Sequence, residues 1–320
     1  MNTMKWLLRR EFWENKGSMF WAPAIISGIM LAVVGASMVY AADAGGKFSR
    51  SFSRMASVPV AEKMALAEQV ANGYLLASVP LFGVMSFVIF FYCLGALYDD
   101  RRDRSILFWK SLPISDEMTV LSKVVAALCL APLITMAFAT ILSLTLLLLT
   151  CLLMSVKGIN LFGVVFTTPQ VYLAPFHMLA MWPVYILWAL PTIGWLLMVS
   201  AWARSKVFLW AVGVPLFVLA LIKWITYLAG ADADSFLSAK WVAHNVMLRV
   251  LLGLEPGSWF LFSDTAMMEA LGSGHHRLDL STVVAHSWAS LGSAHAIVGA
   301  VAGVAMMYVA VRLRRWREDA

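Results

Sequence analysis

Residues 98–123 read YDDRRDRSILFWKSLPISDEMTVLSK, and this charged stretch sits between two long apolar runs, Leu75 to Leu97 and Val124 to Met154. Each run is long enough to cross a bilayer, because about 20 helical residues at ~1.5 Å rise cover a hydrocarbon core of ~30 Å. The stretch is too long for a tight turn between two membrane spans, and it has order of its own. Arg101, Arg102, Arg104 and Lys110 supply cations, while Ile106, Leu107, Trp109 and Leu112 supply apolar surface. Pro113 disfavours helix at Leu112. Ser115 then suits the N-cap of a new helix, with Asp116 and Glu117 in its first turn. Two readings fit this pattern. One is a helix on the membrane surface, its basic side chains against anionic headgroups. The other is a short cytoplasmic helix that docks into a partner protein.

The rest of the chain supports the membrane setting. Of its 320 residues 61% are hydrophobic and 13% charged, with a mean hydropathy of +0.80. Soluble domains carry about 25% charged residues, so the composition points to an all-α, polytopic membrane protein. Six spans are predicted: Phe20 to Ala41, Asn72 to Leu97, Thr119 to Met154, Val171 to Ala203, Val207 to Ala229 and Leu291 to Leu313. The first lacks a small-residue cleavage step and reads as a retained span, not a signal peptide. The third exceeds what a bilayer needs, which predicts tilt, a bend near Pro132 or projection beyond the membrane. The fourth holds Pro175, Pro183 and Pro191, whose freed carbonyls need partners in neighbouring helices or water. Plain kinks and a cavity-lining helix both fit that pattern. Lys223, near one end of the fifth span, is placed to snorkel to the interface.

Four segments follow along the chain. Residues 1–18 form a helical segment ahead of the first span, with Arg10 and Glu14 spaced to pair at i, i+4. Residues 19–229 hold spans one to five and the 98–123 loop. Residues 230–288 form an external cap with a helix from Ser235 to Leu254, stopped by Glu255-Pro256-Gly257, and a second short helix from Asp264 to Leu271. Residues 289–320 are the sixth span and a basic tail. The net charge of +6 does not indicate nucleic-acid binding, because Lys and Arg concentrate in short segments beside the spans. Lys5, Arg9, Arg10, the 98–123 loop, Arg204, Lys206 and the run Arg312 to Arg317 all fall on one side of a six-span topology. That bias places both termini in the cytoplasm.

Motifs for chemistry within the chain are sparse. There is no GxxxxGK[ST] phosphate loop, no HExxH and no GxSxG. Cys93, Cys129 and Cys151 fall inside apolar runs, as buried thiols do. His244, His275, His276, His286 and His295 gather around the cap and the start of the last span. They read as loop and interface histidines, with a metal-binding or cofactor site as the alternative. His177 lies apart, near an end of the fourth span. The 14 Trp include Trp21, Trp202, Trp210 and Trp316 at span ends, where interfacial belts explain them.

The run Asp99 to Ser115, closed by Ser122-Lys123 at the next span, resembles the first cytoplasmic loop of ABC-2-type transporter permeases. In that family an acidic and basic cluster follows the second span, then a short helix, a leucine-proline-hydroxyl step and a lysine opening the third span. Where many members carry Gly-Thr-Leu, this chain carries Arg104-Ser105-Ile106. The wider resemblance, six spans and an entry helix, covers nearly the whole chain. It implies an interfacial elbow helix at 1–18 and a coupling helix in the loop that seats in a groove of a separate ATPase subunit. Asp100, Arg101, Arg104, Ser105, Leu107, Trp109, Lys110, Leu112 and Pro113 are the ATPase-coupling candidates carried over. It also implies two ATPase copies holding ATP and magnesium, a second permease copy, export, and the bacterial inner membrane. The chain itself would hold no cofactor and catalyse nothing. A sensory or immunity membrane protein that binds a ligand without transport is a weaker alternative.

Overall fold

Where the chain is apolar over 20 residues or more it has formed helix, because only a helix satisfies its own backbone groups without water. The computed structural model describes residues 2–43, 70, 73–103, 114–156, 158, 160–228, 239–262 and 280–316. Helix α1, Asn2–Glu14, leads into α2, Gly17–Tyr40. Then come α3, Tyr74–Arg102; α4, Asp116–Val156; α5, Phe162–Thr167; α6, Pro169–Trp202; and α7, Leu209–Leu228. Helix α8 (residues 239–252), α9, Leu280–Ala289, and α10, Ala294–Trp316, complete the set. Helices α2, α3, α4, α6, α7 and α10 are the six long and apolar enough to cross a membrane.

The most buried of the six is α6. In its apolar stretch 72% of the residues are buried, against 11% in α7 and 17% in α2. The latter two present Val33, Phe217, Trp224 and Tyr227 outward, as lipid-facing helices do. Helix α10 packs along α6 backbone to backbone. Gly303 lies so close to α6 that a Cβ there would sit 2.5 Å from the carbonyl carbon of Leu190 and 2.6 Å from its oxygen. Gly194 of α6 faces Gly303 of α10, where a Cβ would meet the Gly303 backbone, and small residues let two membrane helices meet this closely.

The prolines explain several of the contacts that join the helices. A proline lacks the N–H that would bond the carbonyl four residues earlier, and three such carbonyls have found donors elsewhere. Pro132 frees Leu128, whose oxygen accepts from the Trp182 indole at 2.9 Å. Pro175 frees Val171, whose oxygen accepts from the Tyr74 hydroxyl at 2.8 Å. Pro215 frees Ala211, whose oxygen accepts from the Trp195 indole at 2.9 Å. Each bond joins two different helices. The disturbance expected near Pro132 is present as a wide turn, Ala126–Leu130, in which the Ala131 N–H reaches back to the Ala126 carbonyl.

Two expectations are refined. The fourth span is interrupted: Pro169–Ala180 and Trp182–Trp202 meet at Met181, with Pro183 at the start of the second piece. The 230–288 segment, expected as an external cap, is hydrogen-bonded to the bundle where described. Thr192, midway along Trp182–Trp202, donates to the Arg249 carbonyl at 2.8 Å, and Ser86 of α3 donates to the Leu254 carbonyl at 2.8 Å. The stop at Glu255-Pro256-Gly257 is as expected, since helix ends at Leu252 and Gly257 takes φ +93°. The expected helix from Asp264 to Leu271 lies outside the described residues.

Candidate functional site

The charged loop at 98–123 is anchored by ionised side chains turned inward, at the end of the bundle where α1, α3, α4 and α10 meet. Ser115 caps α4 as expected. Its backbone is extended and its hydroxyl accepts from the Met118 N–H at 3.2 Å. This start aims Asp116 at α10 and sets Lys123 two turns further on, facing the core. Lys123 is 3% exposed and Glu11 of α1 is 1% exposed. The Lys123 Nζ lies 3.2 Å from Glu11 and 3.5 Å from Asp100 at the end of α3. The Tyr92 hydroxyl donates to the second Glu11 oxygen at 2.7 Å.

Arg314 of α10 completes the arrangement. Its guanidinium is 3.2 Å from Asp100 and 3.0 Å from Asp116. Asp100 stands on the first stem of the loop and Asp116 on the second, so one buried cation holds both stems. Arg10 adds a longer contact to Asp100 at 3.9 Å and the expected i, i+4 pair with Glu14 at 2.6 Å. Arg10, Lys123 and Arg314 thus face Glu11, Asp100 and Asp116. Burying ions costs several kcal/mol each unless opposite charges and hydrogen bonds compensate, and here the signs balance.

Arg101 points the other way, into α6. It donates to the carbonyls of Ser200 at 2.5 Å and Ala203 at 3.0 Å. The Ser200 hydroxyl in turn accepts from the N–H groups of Leu97 and Tyr98, where α3 is locally interrupted. Of the coupling candidates, Asp100 and Arg101 are therefore brought together at the root of the loop, each fixed to the bundle. Arg104, Ser105, Leu107, Trp109, Lys110, Leu112 and Pro113 lie outside the described residues. Exposed Asp99, Arg102 and Asp103 pair among themselves at 3.0 and 3.5 Å. Beside the cluster an opening of about 560 Å3 is lined by Glu11, Glu14, Asp99, Asp103 and Lys123 among others.

Sequence reasoning did not single out Glu11, Asp116 or Arg314 as site residues. Arg314 entered only as one of several basic residues in the tail, yet it is 4% exposed. The signal that could have found it is a charge directly at the end of an apolar span, on the same helix and still within reach of the loop stems.

The described histidines do not gather at one centre. His244 and His295 both lie near the Phe262 ring, at 5.2 and 6.1 Å between centroids. His286 is on α9, His177 is half-buried on α6, and His275 and His276 lie outside the described residues. Among the described residues no group of three or more His, Cys, Asp or Glu is placed to hold a metal ion. Comparison with protein-family models, curated proteins and solved structures finds no match.

Proposed function

We propose that this chain is the membrane-spanning subunit of an ATP-driven ABC transporter, coupled through its 98–123 loop to a separate ATPase. The observation that carries the reading is the buried clamp under that loop. A segment that transmits force from a soluble motor must be rigidly rooted at both stems. Here both stems are tied to one buried guanidinium, at 3.2 and 3.0 Å. Lys123 adds a second tie from the following stem to Asp100 and to α1. A loop serving only to join two spans needs no such investment of buried charge.

In this reading the 98–123 loop is the coupling element, α1 is an elbow lying along the cytoplasmic face, and both termini are cytoplasmic. Two chains, most simply two copies of this one, and two ATPase copies assemble in the bacterial inner membrane. ATP and magnesium are held by the ATPase, and ATP-driven closure rocks the bundles to export a cargo. The six apolar helices and the basic bias of the loop side support this arrangement.

The test is co-purification of a tagged chain from mild detergent with its ATPase, followed by ATP hydrolysis on the complex. Arg104→Glu and Trp109→Ala are expected to lose most of the bound ATPase while the chain itself stays folded. Full retention of the ATPase by both variants would sink the assignment of the loop.

A further inference from the structure

A second cavity, of about 210 Å3, lies between α3, α4, α6, α9 and the turn at 255–260. It is distinct from the charge cluster, because Met85 on its wall stands roughly 22 Å along α3 from Asp100 at ~1.5 Å per residue. Three departures from regular helix meet around it. Met178 and Met181 line it where α6 is interrupted. Pro132 lines it just past the wide turn Ala126–Leu130 of α4. Pro256 and Gly257 line it from the stop after α8, where Gly257 takes φ +93°. Wide turns recur at functional sites, and discontinuous membrane helices commonly build binding sites. Nearby donors already have partners: the Leu128 carbonyl takes the Trp182 indole, and the Trp259 indole donates to the Ser287 hydroxyl at 2.9 Å. The wall that remains is almost wholly apolar, with four thioethers, Met85, Met136, Met178 and Met181, beside aromatic rings. Met85 is 2% exposed and Trp259 3% exposed, so this wall belongs to the protein interior and not to its lipid-facing surface. Glu255 stands at an edge, partly exposed and shared with a neighbouring opening beside Ser86 and Phe87.

We propose that this cavity, where three interrupted backbones meet, binds a compact uncharged apolar molecule: a single aromatic ring with a short hydrocarbon branch. An apolar wall attracts by removing apolar surface from water and by dispersion. An ion entering it would lose its hydration with nothing to replace it, whereas a hydrocarbon loses nothing. Size narrows the class. A dry apolar cavity of about 150 Å3 takes up benzene, so this larger one has room for a ring and a short branch. Thioethers are polarisable, adapt to the outline of what arrives and make favourable contacts with ring edges. The acyl chains of the bilayer are the other hydrocarbon at hand, and the experiment separates the two. The inference does not rest on the transporter reading.

The experiment uses the purified full chain in lipid nanodiscs, without any ATPase, so it can fail separately from that reading. Phenyl(trifluoromethyl)diazirine is photolysed with the protein, and the labelled residues are located by mass spectrometry. Saturable labelling of the cavity wall at Met85, Met178 or Met181 is expected, and excess cumene should cut it about tenfold or more. Benzyltrimethylammonium and phenylacetate should not compete. Val283→Trp, which puts an indole into the space from α9, should lose the labelling to a similar degree. Labelling that does not saturate and matches that of outward-facing Phe217 and Trp224 would overturn the proposal, because acyl chains then hold the cavity or the probe only dissolves in the bilayer. Equal labelling in folded Val283→Trp, or competition by either ion as strong as that by cumene, would also overturn it. Where that variant does not fold, competition on the unmodified chain decides the matter.

Discussion

Lys123 shows how much one side chain can hold at this end of the bundle. It is buried to 3% exposure between two carboxylates on two other helices. Lys123→Met removes the cation and strands Glu11, whose remaining support is the Tyr92 hydroxyl. Breaking a buried pair by deleting one partner costs about 3–5 kcal/mol. The expected outcome is a large drop in the detergent melting temperature. Lys123→Met combined with Glu11→Leu should recover most of it, since Asp100 keeps Arg314. A double variant no more stable than the single one would show that the pair is not the cause. The proline-freed carbonyls give a second residue-scale case. Trp195→Phe keeps the ring but deletes the donor to Ala211, which Pro215 has left without its helical partner. An orphaned carbonyl in a dry interior costs about 1–3 kcal/mol. Pro215→Ala alongside Trp195→Phe restores the helical N–H, so the loss should shrink in that background. The need for a donor to the carbonyl freed by proline was legible in the sequence at Pro175, and the same rule applies at Pro132 and Pro215. Which Trp or Tyr supplies it was not, because the donors lie 16, 54 and 97 residues away.

At the scale of helices, the closest contact is α10 on α6. Gly303→Ala would place a methyl group 2.5 Å from backbone that cannot move aside, so the two helices must separate. Gly83→Ala makes the contrasting case, since a Cβ there meets nothing within 4 Å. Alanine also outranks glycine in helix propensity by about 0.8–1.0 kcal/mol. Melting temperatures in one detergent should fall for Gly303→Ala and hold or rise for Gly83→Ala; equal behaviour would contradict the α6–α10 contact. The helices themselves were readable because each is an uninterrupted apolar run, and the start of α4 was readable from Ser115, Asp116 and Glu117. Their arrangement was not. Apolar composition does not distinguish α6, the most buried, from α7, which faces outward, since lipid and protein neighbours favour the same residue types. Gly194 and Gly303 were visible as glycines inside apolar runs, but neither names its partner helix. The attachment of residues 249–260 to the bundle was hidden for a related reason. Thr192 and Ser86 are ordinary hydroxyls until the Arg249 and Leu254 carbonyls arrive beside them.

At the scale of the whole molecule, the charge pattern carries two messages that the sequence blends into one. Density of Lys and Arg along the chain reports which side of the membrane a segment faces. Burial separates the cations that meet water or lipid headgroups from those that hold the structure. Arg312 and Arg315 are of the first kind and Arg314, between them, is of the second, with both stems of the 98–123 loop in its grip. This division predicts two different failures in the proposed transporter. Arg104→Glu acts at the surface that meets the ATPase, so it should release the ATPase. Arg314→Gln removes most of the charge that joins the loop stems to α10 while leaving the docking surface untouched. It should keep the ATPase bound and hydrolysing ATP, yet transmit less of each closure to the spans. The measurable sign is a complex whose basal hydrolysis is close to that of the unmodified protein and whose movement between inward- and outward-facing states, read by cysteine accessibility on α3, no longer follows ATP. Arg315→Gln, which loses only an exposed pair with Glu117 at 3.3 Å, should behave like the unmodified chain, because exposed pairs contribute about 0–1 kcal/mol. If Arg314→Gln and Arg315→Gln prove equivalent in this assay, the buried clamp is structural only, and force reaches the spans by another route.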